Sequence, residues 1–331
     1  MKPGGTIARP VIDGAACVHG LTPMARCADC IDACPHRALS LGLDGIEFDS
    51  SACRGCGACA GICPARAIRL DAPQPVREGD TLIAVCARHP ATGGRAARGC
   101  IHGYGINDLA GWALAGIRRI ACGTGDCDTC PDAPASRLGE TAAHLAGLAA
   151  AHGRTAPEVA PASIAELRRW MLSADDGPVP ARRALLAALT APLRGDEAPR
   201  PALERLQETG GGRFAFVPVI DAQACTGCDT CLRLCPEGVL STVADERGGI
   251  RYHCNPARCT GCLLCEDVCT DNAIEVEAMT AAPADVLLEQ FTCRACGIGV
   301  HVPASGTLAA DGLCPVCART GHHRKLFQVL P

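Results

Sequence analysis

Between residues 79 and 175 the chain alternates short unbroken apolar runs with stretches of helical periodicity. "TLIAVC" (81–86) and "RRIAC" (118–122) have the length and composition of buried strands, and "INDLAGWALAGI" (106–117) spaces its apolar residues as a helix does. "ASRLGETAAHLAGLAAAHG" (135–153) sets Leu138, Ala142, Leu145 and Ala149 on one helical face. "SIAELRRWML" (163–172) opens with Ser163 and Glu166 at capping-box spacing. The order β, α, β, α, then a further β and α, predicts right-handed crossovers and parallel strands, whose carboxyl ends share one sheet edge. Cys86 and Cys122 end the two strands, Cys100 precedes the helix between them, and Cys127 follows in the loop "CGTGDCDTC". Topology alone therefore gathers four cysteines at that edge.

On either side of this stretch the periodicity dissolves and cysteine takes over. The 331-residue chain has 26 cysteines and only 3% aromatic residues, so ordinary hydrophobic packing is a poor candidate for holding its small modules together. Two segments begin almost identically, "VIDGAAC" at 11–17 and "VIDAQAC" at 219–225, and each ends in a strand-like tail, "AIRLD" or "AIEVEA". Each encloses two cysteine-rich loops, the mark of an internal duplication.

Three of the four loops are regular. "CRGCGACAGICP" carries Cys53, Cys56, Cys59 and Cys63; "CTGCDTCLRLCP" carries Cys225, Cys228, Cys231 and Cys235; "CTGCLLCEDVCT" carries Cys259, Cys262, Cys265 and Cys269, with Thr270 where the others have Pro. In the remaining loop, "CVHGLTPMARCADCIDACP", anchoring on the shared strand aligns Cys17 with Cys225 and Cys27, Cys30 and Cys34 with Cys228, Cys231 and Cys235. The difference is a seven-residue insertion after the first cysteine, expected to form a surface loop.

These motifs resemble the bacterial two-cluster ferredoxins, over roughly residues 9–74 and 215–278. In that family CxxCxxC wraps one iron-sulfur cubane while the fourth cysteine crosses to the neighbouring cluster. Carried over, the resemblance implies four [4Fe-4S] clusters: Cys17, Cys27, Cys30 with Cys63; Cys53, Cys56, Cys59 with Cys34; Cys225, Cys228, Cys231 with Cys269; and Cys259, Cys262, Cys265 with Cys235. The Thr270 substitution is expected to weaken a turn without removing a ligand.

The central cysteines, with "AGIRRIACGTGDC", resemble the small iron-sulfur delta subunit of methyl-viologen-reducing hydrogenases over roughly residues 80–175. That resemblance implies a [2Fe-2S] cluster on Cys86, Cys100, Cys122 and Cys127. The sequence departs from the pattern at Asp128, where the family has His, and at Cys130, which adds a CxxC with Cys127. A redox-active dithiol and a purely structural group therefore stand beside the [2Fe-2S] reading. His89, His102, His144 and His152 are expected to be structural or solvent-facing, without paired partners. "GTG" at 123–125 lacks the third glycine of a dinucleotide fingerprint, and no P-loop is present, so flavin and NAD find no support.

Near the C-terminus Cys293, Cys296, Cys314 and Cys317 form two CxxC knuckles separated by 17 residues. Four thiolates suit a closed structural zinc site, with rubredoxin-type iron as the alternative. His322 and His323 are spare ligands, and Cys254 stands outside every motif as a buried thiol.

The expected architecture is multidomain α+β. It comprises two dicluster ferredoxin-like domains (1–78 and 213–280) flanking a small parallel-sheet α/β domain (79–175), a helical linker (176–212) with a helix over Leu185–Leu193, and a zinc-ribbon-like module (281–331). A net charge of -4 argues against nucleic acid or an anionic membrane as partner. The absence of a secretory h-region and of a long apolar run predicts a cytoplasmic protein with reduced thiols.

The function expected is single-electron relay, with no catalytic residue of its own, inside a hetero-oligomeric complex. The partners expected are a hydrogenase, a formate or other dehydrogenase, or a heterodisulfide reductase-like enzyme. Two rivals remain: a thiol/disulfide oxidoreductase subunit using Cys127 and Cys130, and a redox sensor or cluster scaffold.

Overall fold

A computed structural model describes residues 8–43, 45–92, 97–135, 137–173, 200–208, 212–244, 248–306 and 312–321. The expected linker helix over Leu185–Leu193, and His322 and His323, lie outside the described residues. The chain divides into two compact units, one holding Met1–Gly20 and Ala28–Gly210, the other Leu21–Cys27 and Gly211–Pro331.

The first unit opens with a small iron-sulfur-like frame whose end strands close on each other. Strand Pro10–Ile12 pairs antiparallel with Ile68–Leu70, and Leu39–Gly42 forms a hairpin with Gly45–Phe48. Its core includes thiols: Cys30 and Cys59 pack with Leu39 and Ile68, and Ile12, Phe48 and Cys63 close around them.

The following sheet is built as the apolar runs require. Strand Thr81–Val85 pairs parallel with Arg119–Gly123, and that strand pairs parallel with Glu158–Pro161. Ile83, Val85 and Ala121 pack against Trp170 of helix Ile164–Ser173. Leu82, Ala84 and Ile120, which alternation turns to the other face, are equally buried, and helix Leu138–Ala151 packs along strand Glu158–Pro161. Burial on both faces explains why these strands read as continuous apolar runs. The helix face holding Leu138, Ala142, Leu145 and Ala149 is buried, as its spacing predicts. A short strand, Val76–Glu78, adds antiparallel to Thr81–Val85; its three residues, "VRE", carry too little pattern to reveal it.

In the second unit strands Arg213–Ile220 and Ile274–Ala281 pair antiparallel over their length, from Ile220 opposite Ile274 to Arg213 opposite Ala281. The hairpin Leu240–Ala244 with Ile250–Cys254 does not stay two-stranded. Strand Val286–Thr292 adds to it, and Gly299–Pro303 adds in turn, giving a four-stranded antiparallel sheet. The first C-terminal knuckle, with Cys293 and Cys296, therefore sits in the turn between the last two strands of this sheet, and the second, with Cys314 and Cys317, opens helix Pro315–Thr320.

Candidate metal centres

The three regular loops share one backbone recipe. The residue before the second cysteine is a glycine with positive φ, at Gly55, Gly227 and Gly261, and the residue after that cysteine is also left-handed, at Gly57, Asp229 and Leu263. Successive turns of this kind aim backbone N–H groups into a concavity suited to an anion, such as a cluster with four thiolate ligands. Asp229 and Leu263 tolerate φ near +60° at a steric cost that glycine avoids.

The fourth cysteines share a second recipe. A left-handed residue follows three positions later, at Arg37, Arg66, Gly238 and Asn272. One position further, the amides of Ala38, Val239 and Ala273 donate to Cys34, Cys235 and Cys269 Sγ at 3.3, 3.5 and 3.2 Å. The turn after Cys269 keeps the same bond with Thr270 in place: Asn272 N donates to Cys269 O at 3.2 Å, as Arg37 N does to Cys34 O.

These turns bring each regular set of thiols together across the sequence. Burial pushes Cys59 up to about 12, and the neighbouring Cys56, Cys34 and Cys53 add to the rise. Burial likewise raises Cys231 to about 12, with Cys225, Cys228 and Cys269 as the repelling neighbours. Cys259 is raised to about 12 by burial, with Cys262 and Cys235 among its neighbours. Cys225, Cys228, Cys231 and Cys269 line one concavity, and Cys231, Cys235, Cys259, Cys262 and Cys265 line another. Crowded thiols that resist ionisation alone are relieved by cations, and metal binding there releases protons.

The irregular loop departs from the recipe. Ala28, which corresponds to Gly57, has φ -127°, and Arg26 stands where the other loops have glycine. The insertion is only partly a surface loop: Val18–Leu21 forms a helical turn, and Val18 and Ala25 are buried. Cys30 is buried while Cys17, Cys27 and Cys63 are half-buried. Burial raises Cys63, with Cys17 among its repelling neighbours.

In the central region Cys86, Cys100, Cys127 and Cys130 line one cavity. Cys122 lies on the adjacent strand, outside that lining, and burial raises it to about 12 with Cys127 and Cys86 as neighbours. His102 is not the partnerless residue expected. Its Nδ1 accepts from Leu138 N at 3.1 Å, so the ring proton sits on Nε2, which lies 3.3 Å from Cys127 Sγ and can donate to it. His89 Nδ1 also has a partner, Ala91 N at 3.1 Å, and His152 is buried with a partner. No periodicity signals these bonds, because each depends on how a loop folds back.

Cys293, Cys296, Cys314 and Cys317 have their sulfurs within 4.8 Å of one another. Cys296 and Cys314 Sγ are 3.8 Å apart, and four sulfurs about 2.3 Å from one ion stand roughly 3.8 Å apart. Cys293 is lowered to about 6, chiefly by the N–H of Cys314, which donates to it at 3.2 Å. The set fits a tetrahedral metal. Cys254 is half-buried rather than buried, at the end of its strand beside Cys235.

Comparison with known proteins agrees with this donor chemistry. The 4Fe-4S dicluster domain matches residues 224–273 and the 4Fe-4S binding domain matches residues 46–69. The chain is 35% identical over 77 residues to the pyruvate synthase subunit PorD of Methanothermobacter marburgensis, covering 23% of this chain and 84% of that one. It is 37% identical over 67 residues to PorD of Methanocaldococcus jannaschii, covering 20% and 72%. It is also 31% identical over 67 residues to an uncharacterized ferredoxin of the latter organism, covering 20% and 86%. With its duplicated frame and its cysteine-lined concavities, the chain belongs to the [4Fe-4S] ferredoxin family represented by these proteins and is an electron-transferring polyferredoxin.

Proposed function

We propose that the chain is a multi-cluster relay subunit carrying single electrons through four [4Fe-4S] clusters. Cys17, Cys27, Cys30 and Cys63 hold one, and Cys34, Cys53, Cys56 and Cys59 its neighbour. Cys225, Cys228, Cys231 and Cys269 hold the third, and Cys235, Cys259, Cys262 and Cys265 the fourth. The observation that carries this reading is the crossed grouping of thiols: Cys269 stands with Cys225 and Cys231, while Cys235 stands with Cys259 and Cys262. The bound clusters supply one-electron chemistry. The chain supplies N–H donors to sulfur, burial and spacing, the levers that set cluster potentials.

Cys86, Cys100, Cys122 and Cys127 hold a [2Fe-2S] cluster in the central region. Cys293, Cys296, Cys314 and Cys317 hold structural zinc, which braces the hairpin grown from the second module. In domain terms, residues 1–78 and 213–280 are the cluster modules, 79–175 the central domain, 176–212 the linker and 281–331 the zinc ribbon. The partner is a larger redox enzyme, and the PorD relatives, named as pyruvate synthase subunits, favour one that oxidises or forms a 2-oxoacid. Iron and sulfide analysis after anaerobic purification tests the reading. Four cubanes require about sixteen irons per chain, and fewer than about eight would overturn it.

One observation favours a second reading, a thiol/disulfide exchange site: Cys130 lines the central cavity beside Cys127. Against it, burial raises Cys127 and so disfavours the reactive thiolate. A Cys130→Ser variant that loses activity with its iron unchanged would favour thiol chemistry over a central cluster.

A further inference from the structure

The loop that holds Cys53, Cys56 and Cys59 lies directly against the segment 98–105 of the central domain, and the approach is close enough to demand glycine on both sides. A Cβ on Gly99 would stand 2.2 Å from Gly55 O, one on Gly103 2.5 Å from Cys56 O, and one on Gly105 1.9 Å from Gly61 O. The demand is mutual, since a Cβ on Gly61 would meet Gly103 O at 2.5 Å. All of these distances are far inside van der Waals contact, so no side chain can separate the two backbones. Cys56, Ala58 and Cys100 are buried together in the resulting core.

Two polar features close the same seam. Arg98 is buried, with its guanidinium 4.0 Å from the centre of the Tyr104 ring. One of its terminal nitrogens donates to Gly103 O at 2.8 Å, and a Cβ on Gly57 would stand 3.0 Å from that group. Its Nε has no hydrogen-bond partner among the described residues, an expensive state for a buried cationic group unless an anionic neighbour compensates it. On the other side His36, two residues past Cys34, meets Asp132, two residues past Cys130, at 2.8 Å. Arg88 Nε donates to the second oxygen of that carboxylate at 2.6 Å.

We propose that this seam is the chain's internal electrical junction: the cluster on Cys34, Cys53, Cys56 and Cys59 exchanges electrons with the group held by Cys86, Cys100, Cys122 and Cys127. Arg98 is the buried cation that stabilises the electron on the cluster side. The inference rests on the four-cubane and central-cluster reading above, and it adds the pairing between the centres. Electron tunnelling weakens steeply with distance, so backbones in glycine contact, with a ligand of each centre in one core, form the preferred route. The transfer balances as one electron: a reduced [4Fe-4S]⁺ returns to 2+ as the [2Fe-2S]²⁺ becomes 1+, with dithionite resupplying the donor and no proton or bond exchanged.

The test is electron paramagnetic resonance on the full anaerobic chain, titrated with dithionite, with iron counted on each sample. The expected result is a central-centre signal that broadens or relaxes faster as one cubane is reduced. In a Gly105→Val variant with full iron that interaction falls and reduction of the central centre slows about tenfold or more, whereas Gly139→Ala, at an open helical position, changes neither. Arg98→Gln shifts the potential of one cubane downward and leaves the other three in place. This shift and the wild-type spectrum keep the proposal testable if Gly105→Val fails to fold. An unperturbed central signal, an interaction that survives Gly105→Val, or an Arg98→Gln chain with unchanged potentials would overturn it. A chain with four cubanes and no central signal would also overturn the junction while leaving the four-cubane reading standing, and low total iron would fell that reading first.

Discussion

At the scale of single residues, the sites depend on a few backbone conformations as much as on sulfur. Gly55, Gly227 and Gly261 recur before the second cysteine because each needs positive φ. Arg26 and Ala28 interrupt that pattern in the first loop, so the cluster proposed there would depend more on Cys17 returning from the insertion. A Cys17→Ser chain is expected to lose about a quarter of its [4Fe-4S] iron, read by iron and sulfide assay with the visible spectrum. Full retention would show that Cys17 is not a ligand. The candidate ligands are legible in the sequence because CxxCxxC spacing repeats. The partners of His102 were not, because Leu138 and Cys127 lie 36 and 25 residues away from it.

At the scale of elements, helix Ile164–Ser173 shows how local signals and tertiary contacts add. Glu166 N donates to Ser163 Oγ at 3.3 Å, and Ser163 N donates to Glu166 Oε2 at 2.6 Å, completing the box that the sequence predicts. Removing the cap with Ser163→Ala is expected to cost about 1 kcal/mol, seen as a lower Tm of the central domain. The same carboxylate also takes a bond from Arg119 on strand Arg119–Gly123, a contact no sequence pattern announces. The Ser163 hydroxyl, ahead of Arg119, holds Glu166 down to about 2 from 4.5. A depressed carboxylate contributes stability above its unfolded value and loses it as pH falls toward the folded one. The Tm gap between the wild type and Glu166→Gln should therefore be constant near pH 7 and narrow progressively below about pH 4.5. A gap independent of pH would show that the carboxylate is not the stabilising form.

At the scale of the whole molecule, two kinds of core coexist. The parallel sheet packs Ile83, Val85, Ala121 and Trp170 together with no cysteine among them. The cluster modules and the knuckles instead put cysteines into their cores, as with Cys30 and Cys59, or Cys293, Cys314 and Cys317. Stripping metal with an iron chelator and EDTA should leave residues 79–173 resistant to limited proteolysis while the cysteine-cored segments become cleavable, mapped by mass spectrometry. Equal resistance of all segments would show that the modules stand without metal.

The sequence by itself determined which residues can ligate, that the cluster frame is duplicated, and that the central strands are buried on both faces. Each of these follows from local spacing: a thiolate wraps a nearby cluster, and an apolar run of strand length asks for cover on both sides. Only the tertiary structure decided that the C-terminal hairpin extends the second module's sheet, that His102 reaches Cys127, and that Gly99, Gly103 and Gly105 press on Gly55, Cys56 and Gly61. Those outcomes depend on backbones far apart in sequence meeting at a given distance. A glycine kept for a turn and a glycine kept for a neighbour look alike until the neighbour is in place.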